Sequence, residues 1–126
     1  MVEKQTKVEM RKHKRFKTLK NTFVALENGH TEVGQMINIS KDGLAFSYLG
    51  KEELIRGWHK VDIFLSGKHF YLKEVPFKAI SEYYIYPKTP FSKVLMKVCR
   101  GQFGELTHKQ KSRLDYFIAN HTIGSQ

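Results

Sequence analysis

Arg11 and Arg15 stand four residues apart in the basic stretch MRKHKRF, residues 10–16. A guanidinium is a planar fork of donors that binds a phosphate or the O6/N7 edge of guanine through two parallel hydrogen bonds, and its flat face stacks on a base. The intervening Lys12 and Lys14 supply charge without that geometry. On its own, the spacing reads first as a solvated cationic arm. A second polar group follows in NISKDG, residues 38–43. Side chains alternate along a strand, so Asn38 and Ser40 share one face and Ile37 and Ile39 the other, and the isoleucines read as the buried face. Pointing outward, Asn38 offers an amide and Ser40 a hydroxyl, groups that hydrogen-bond a base edge or a phosphate oxygen. Taken alone, the commoner use of such residues is to cap the strand end before the Asp42-Gly43 turn.

Other chemistries find no support. The histidines at 13, 30, 59, 69, 108 and 121 show no His-x-x-x-His spacing, and the single cysteine, Cys99, removes the usual structural zinc sets. Nucleophile-elbow, phosphate-loop and dinucleotide glycine motifs are missing. We therefore assign no catalytic residue, no metal ligand and no cofactor, and the working class is a binding module. The net charge of +10 calls for an anionic partner: nucleic acid, nucleotide, acidic protein or lipid surface. That charge is uneven, because residues 1–20 hold eight Lys or Arg against two Glu and so carry +6 of it.

The elements that must position these groups are legible from turns and alternation. A chain of 126 residues suits one domain. No apolar run reaches the roughly 18 residues of a membrane span, and the polar start lacks a signal-peptide core, so the expected location is the cytoplasm. Cys99, between strand-like neighbours, reads as packing. Asn28-Gly29 splits NTFVALE from TEVGQMINIS as a hairpin, Asp42-Gly43 separates MINIS from LAFSYL, and Ser66-Gly67 separates HKVDIFL from KHFYLKEVPFKAI. With KVLMKVCRG as the last run, about six strands follow. Leu106, Leu114, Phe117 and Ile118 then recur at helical spacing, opened by a Thr107/Gln110 capping box. Pro87 and Pro90 mark a loop or strand edge. The aromatics Trp58, Phe64, Phe70, Tyr71 and Phe77 read as core or barrel surface, and the spacing fixes neither Arg56 nor Arg100 near a ligand. Because Asn28-Gly29 makes the first two strands a hairpin, the start of one lies beside the end of the other. The Arg pair and the Asn38/Ser40 pair then meet one ligand.

RKHKR at 11–15 matches the Arg-x-x-x-Arg motif, and NISKDG at 38–43 the Asp/Asn-x-Ser-x-x-Gly motif, of PilZ domains. With the order, the intervening length and the strand-then-helix pattern, the sequence resembles that family over roughly residues 10–120. The resemblance implies a mainly β fold, a six-stranded antiparallel barrel with a C-terminal α-helix and a flexible basic N-terminal arm that folds over ligand. It divides the chain into an arm at 1–10, a PilZ-like domain at 11–120 and a tail at 121–126, and the short arm suggests a stand-alone module. The ligand it implies is the bacterial second messenger cyclic di-GMP. Arg11 and Arg15 would stack on guanine and bind guanine edges and phosphates. Asn38 would bond a guanine edge, Ser40 a phosphate or base edge, and Gly43 would permit the tight turn. Asn38 stands where Asp is commoner, and a neutral acceptor holds the guanine N1–H and N2–H less strongly than a charged one. The implied function is an effector whose arm changes conformation on binding and which signals to a protein partner. Two alternatives stand beside it: a small basic barrel binding RNA or single-stranded nucleic acid, and a ligand-silent PilZ-type interaction module.

Overall fold

Turn chemistry and side-chain alternation resolve into strands wherever both agree. The computed structural model describes residues 13–27, 29–49, 55–67, 69–85 and 96–125. Arg11, Tyr86, Pro87 and Pro90 fall outside them. The elements in chain order are β1 (Phe16–Thr18), β2 (Thr22–Glu27), β3 (Thr31–Ile39), β4 (Gly43–Leu49), β5 (Gly57–Leu65), β6 (Tyr71–Ile85), β7 (Met96–Phe103), α1 (His108–Asn120) and β8 (Thr122–Ser125). Strands β2 to β7 form a closed antiparallel barrel in the order β2-β5-β6-β7-β4-β3, with β3 pairing back onto β2. Closure removes the free edges that an open sheet would leave to pair elsewhere. β1 and then β8 extend the sheet outward from β3.

The three expected turns are where local chemistry put them. Glu27 faces Thr31 across the β2–β3 hairpin, and Gly29 there has φ 77°, a conformation that favours glycine. Gly67 does the same service between β5 and β6, at φ 79°. Inward residues of every barrel strand fill the interior, among them Val24, Leu26, Ile39, Phe46, Val61, Ile63, Val75 and Phe77, all at most 1% exposed. α1 carries the expected capping box, with Thr107 Oγ1 accepting from Gln110 N at 3.1 Å and Gln110 Oε1 accepting from Thr107 N at 3.0 Å. Its buried Leu114 and Phe117 dock on the barrel, where the Phe117 ring lies 5.1 Å from that of Phe70. No helix among the described residues is long and apolar enough to cross a membrane.

Three features depart from the sequence expectation. The β3–β4 register shifts between Met36 and Asn38, so Ile37 occupies a bulge and Met36 takes the core position opposite Phe46. Strict alternation had put Ile37 inside. Lys97, in the middle of an apolar-looking strand, is wholly buried, its Nζ 3.6 Å from Glu82 Oε1 and 5.1 Å from the centre of the Tyr84 ring. Glu82 also accepts from the Tyr48 hydroxyl and from Ile55 N at 3.2 Å. Burial, and after it the Glu82 carboxylate, pushes the neighbouring Cys99 thiol up to about 12, which makes it packing rather than a nucleophile. Finally, part of the segment 121–126, read as a tail, is strand β8.

Candidate functional site

The site grows from a strand that periodicity does not reveal. β1 is three residues long and pairs with the end of β3, setting Phe16 opposite Ile39 and Lys17 opposite Asn38. Arg15, one residue earlier, therefore comes level with Ser40. β1 makes this juxtaposition on the edge of β3 that β2 pairs with, continuing the β2–β3 hairpin beyond Gln35, while β4 takes the opposite edge. Further pairings carry the row on, Asn38 beside Ala45 on β4 and Ala45 beside Arg100 on β7. The outer face of the barrel thus aligns an amide and two guanidinium-bearing residues along an open cleft of about 1110 Å³, into which α1 contributes Lys111 and Asp115. Arg15, Asn38, Ser40 and Gly43 all line it, and Arg11 lies outside the described residues.

Asn38 and Ser40 face the cleft but are far from fully solvated, at 7% and 8% exposure. Their outward position is as expected; the cover that β1 gives them is not. Ser40 Oγ accepts from Asp42 N at 3.1 Å and Gly43 N at 3.3 Å, which is the capping role. Both lone pairs are used within the turn, so the O–H proton is what Ser40 has to offer a ligand oxygen. One residue serves both readings. His13 Nε2 lies 3.3 Å from Asp42 Oδ1, tying the chain ahead of β1 to the same turn.

Gly43 matters for a reason other than turn geometry. Its φ is not in the positive range. A Cβ at Gly43 would stand 2.0 Å from the Gly101 carbonyl oxygen and 3.0 Å from Gln102 Cα, because the β4 and β7 backbones approach closely at the cleft floor. Gly43→Ala is expected to lower stability by about 1–3 kcal/mol through overpacking, and a thermal midpoint unchanged from the parent would contradict this. Sequence reasoning left Arg100 open. It reaches the cleft only because β4 and β7 pair, and its guanidinium sits 6.0 Å from the centre of the Tyr83 ring. Nothing local could have signalled that. Arg56 does not line the cleft.

No family model and no curated protein matches this sequence. Solved structures do. The PilZ domain of YcgR from Escherichia coli, solved with c-di-GMP, superposes with a TM-score of 0.72 at 12% identity over 89% of this chain and 91% of that one. MrkH of K. pneumonia, in its c-di-GMP complex, gives a TM-score of 0.61 at 15% identity over 87% of this chain and 51% of that one. The Bacillus subtilis inhibitor of motility MotI gives 0.55 at 14% identity, over 87% and 49%. The chain therefore spans about half the length of MrkH and MotI. The likeness establishes the fold: this is a PilZ-like domain, a closed six-stranded barrel with a C-terminal helix.

Proposed function

We propose that the cleft binds cyclic di-GMP and that binding is read by a protein partner. The observation that carries this is the register of β1 on β3, which brings Arg15 level with Ser40 and beside Asn38, on the rim of a cleft that Arg100 also lines. A cyclic dinucleotide presents two anionic phosphates and two guanine edges. Arg15 supplies the fork for a guanine edge or a phosphate, Asn38 an amide for a guanine edge, Ser40 a hydroxyl donor for a phosphate oxygen, and Arg100 a second guanidinium across the cleft. Arg11 joins them on its motif alone. Ligand contact with Arg11 then draws the chain ahead of β1 over the cleft, and the remodelled surface is what the partner reads. The c-di-GMP in the YcgR and MrkH structures supports this reading. No reaction is assigned. The described residues include no group of three or more His, Cys, Asp or Glu able to hold a metal.

Isothermal titration with cyclic di-GMP tests the proposal. Binding is expected at tens of micromolar or tighter, about −6 to −7 kcal/mol. Absence of binding in that range overturns it, and a salt slope shared among many lysines with single-stranded RNA as the better ligand points to nucleic acid instead. Arg100→Ala should weaken cyclic di-GMP about tenfold, as expected for one charge-assisted contact. An Arg100→Ala affinity equal to the parent's removes Arg100 from the site.

A further inference from the structure

The residue on which the binding reading depends most is held by very little of its own strand. β1 is in ladder register with β3 at two residue pairs, Phe16 with Ile39 and Lys17 with Asn38, beside which Thr18 Oγ1 donates to Met36 O at 2.8 Å. A strand of three residues on a single neighbour is marginal. On its other side lies β8, where Phe16 faces Ser125, Lys17 faces Gly124 and Thr18 faces Thr122. More of the β1 register is written against β8 than against β3.

β8 is in turn fixed from the core outward. His121 N donates to Phe117 O at 2.8 Å and Thr122 Oγ1 donates to Ile118 O at 2.7 Å, so the end of α1 sets where β8 begins. The His121 ring packs 5.7 Å from Phe70 and 5.9 Å from Phe117, inside the aromatic cluster that docks the helix. Between these elements runs a groove of about 540 Å³ lined by Phe16, Ile118 and Ile123, and Lys41 and Asp115 line both it and the main cleft. None of residues 122–125 lines the main cleft.

We propose that β8 is a positioning strand for the ligand site: by pairing with β1 it holds Arg15 at the level of Ser40, and so sets ligand affinity without touching the ligand. This inference rests on the cyclic di-GMP reading. A site whose competent arrangement is populated only part of the time binds with an affinity reduced by that fraction. By linkage, a ligand that prefers the β8-docked arrangement must stabilise β8 by the same factor by which β8 improves binding.

Two measurements test it. On addition of cyclic di-GMP, hydrogen exchange at residues 122–125 should slow several-fold, since a four-residue edge strand opens locally in the free protein. In the variant Ile123→Pro/Gly124→Pro, adjacent prolines remove the N–H groups of both strand edges, so the ladder to β1 is lost whichever edge faces it. Ile123 is 60% exposed, so the change opens no core cavity. Affinity should fall at least tenfold with the barrel still folding cooperatively, and Ile123→Val should retain parental affinity. Exchange at 122–125 indifferent to bound ligand, or a proline variant within twofold of the parent, overturns the inference alone. If the parent chain does not bind cyclic di-GMP at all, the functional reading falls and takes this inference with it. Should the proline variant fail to fold, the exchange measurement on the parent chain decides.

Discussion

Arg15→Ala should weaken cyclic di-GMP binding by about 2–3 kcal/mol, on the order of 30- to 150-fold, the cost of losing hydrogen bonds made by a charged group. Arg15 is partly buried on the cleft rim, with its backbone placed by β1 and its neighbours Asn38 and Ser40 already shielded from water. Shielding strengthens each charge-assisted contact and leaves less room for water to replace a lost one. Arg15→Lys separates geometry from charge. A lysine keeps the cation and loses the planar fork, so most of the binding should go with it. Lys14→Ala, next to it in sequence and exposed, should matter far less. Titration of the three variants, with thermal midpoints as a folding control, makes the comparison. Equal affinity for Arg15→Lys and the parent would show that this region contributes charge alone.

Glu82→Ala carries the largest expected effect on stability. Lys97 is 0% exposed and the Glu82 side chain 3% exposed, and the pair sits toward the Leu49 end of β4, whereas the cleft lies at its Gly43 end. Removing the carboxylate takes the Glu82 charge away from a buried ammonium and strips an acceptor from Tyr48 and from Ile55 N. Breaking a buried pair in this way costs about 3–5 kcal/mol, against a total of roughly 5–15 kcal/mol for a domain. The pair itself is a weak source of stability, because both ions were taken out of water to make it. Accordingly, Glu82→Gln combined with Lys97→Met should recover most of the loss. Denaturant unfolding of the parent, Glu82→Ala and the double variant tests this. A Glu82→Ala protein within 1 kcal/mol of the parent (about fivefold in the folding constant) would refute the assignment. Cyclic di-GMP affinity per folded molecule should be unchanged, since none of these residues touches the cleft.

The elements that sequence reasoning found share one property: their signals are local. A hairpin at residues 28–29, turns at Asp42-Gly43 and Ser66-Gly67, and a capping box at Thr107/Gln110 each rest on backbone and side-chain bonds spanning a few residues. Alternation then identifies the inward side chains, and the two short motifs identify Arg11, Arg15, Asn38, Ser40 and Gly43 as a set, four of which line one cleft. Where alternation met a bulge, at Ile37, it failed, because one extra residue reverses the face of everything before it.

What the residues determined by themselves was the six strands of the barrel, the helix, the basic N-terminal charge and the grouping of candidate ligands. Tertiary structure decided which strand brings Arg15 to Ser40, that Arg100 crosses to the same cleft, that Gly43 is required by the Gly101 backbone, that Lys97 is buried against Glu82, and that residues 122–125 brace β1. The division is physical. Turns, caps and periodicity are settled within a few residues, whereas the register of β1 on β3, of β4 on β7 and of β8 on β1 joins positions 21 to more than 100 residues apart. Those registers exist only once the barrel has closed and the helix has docked.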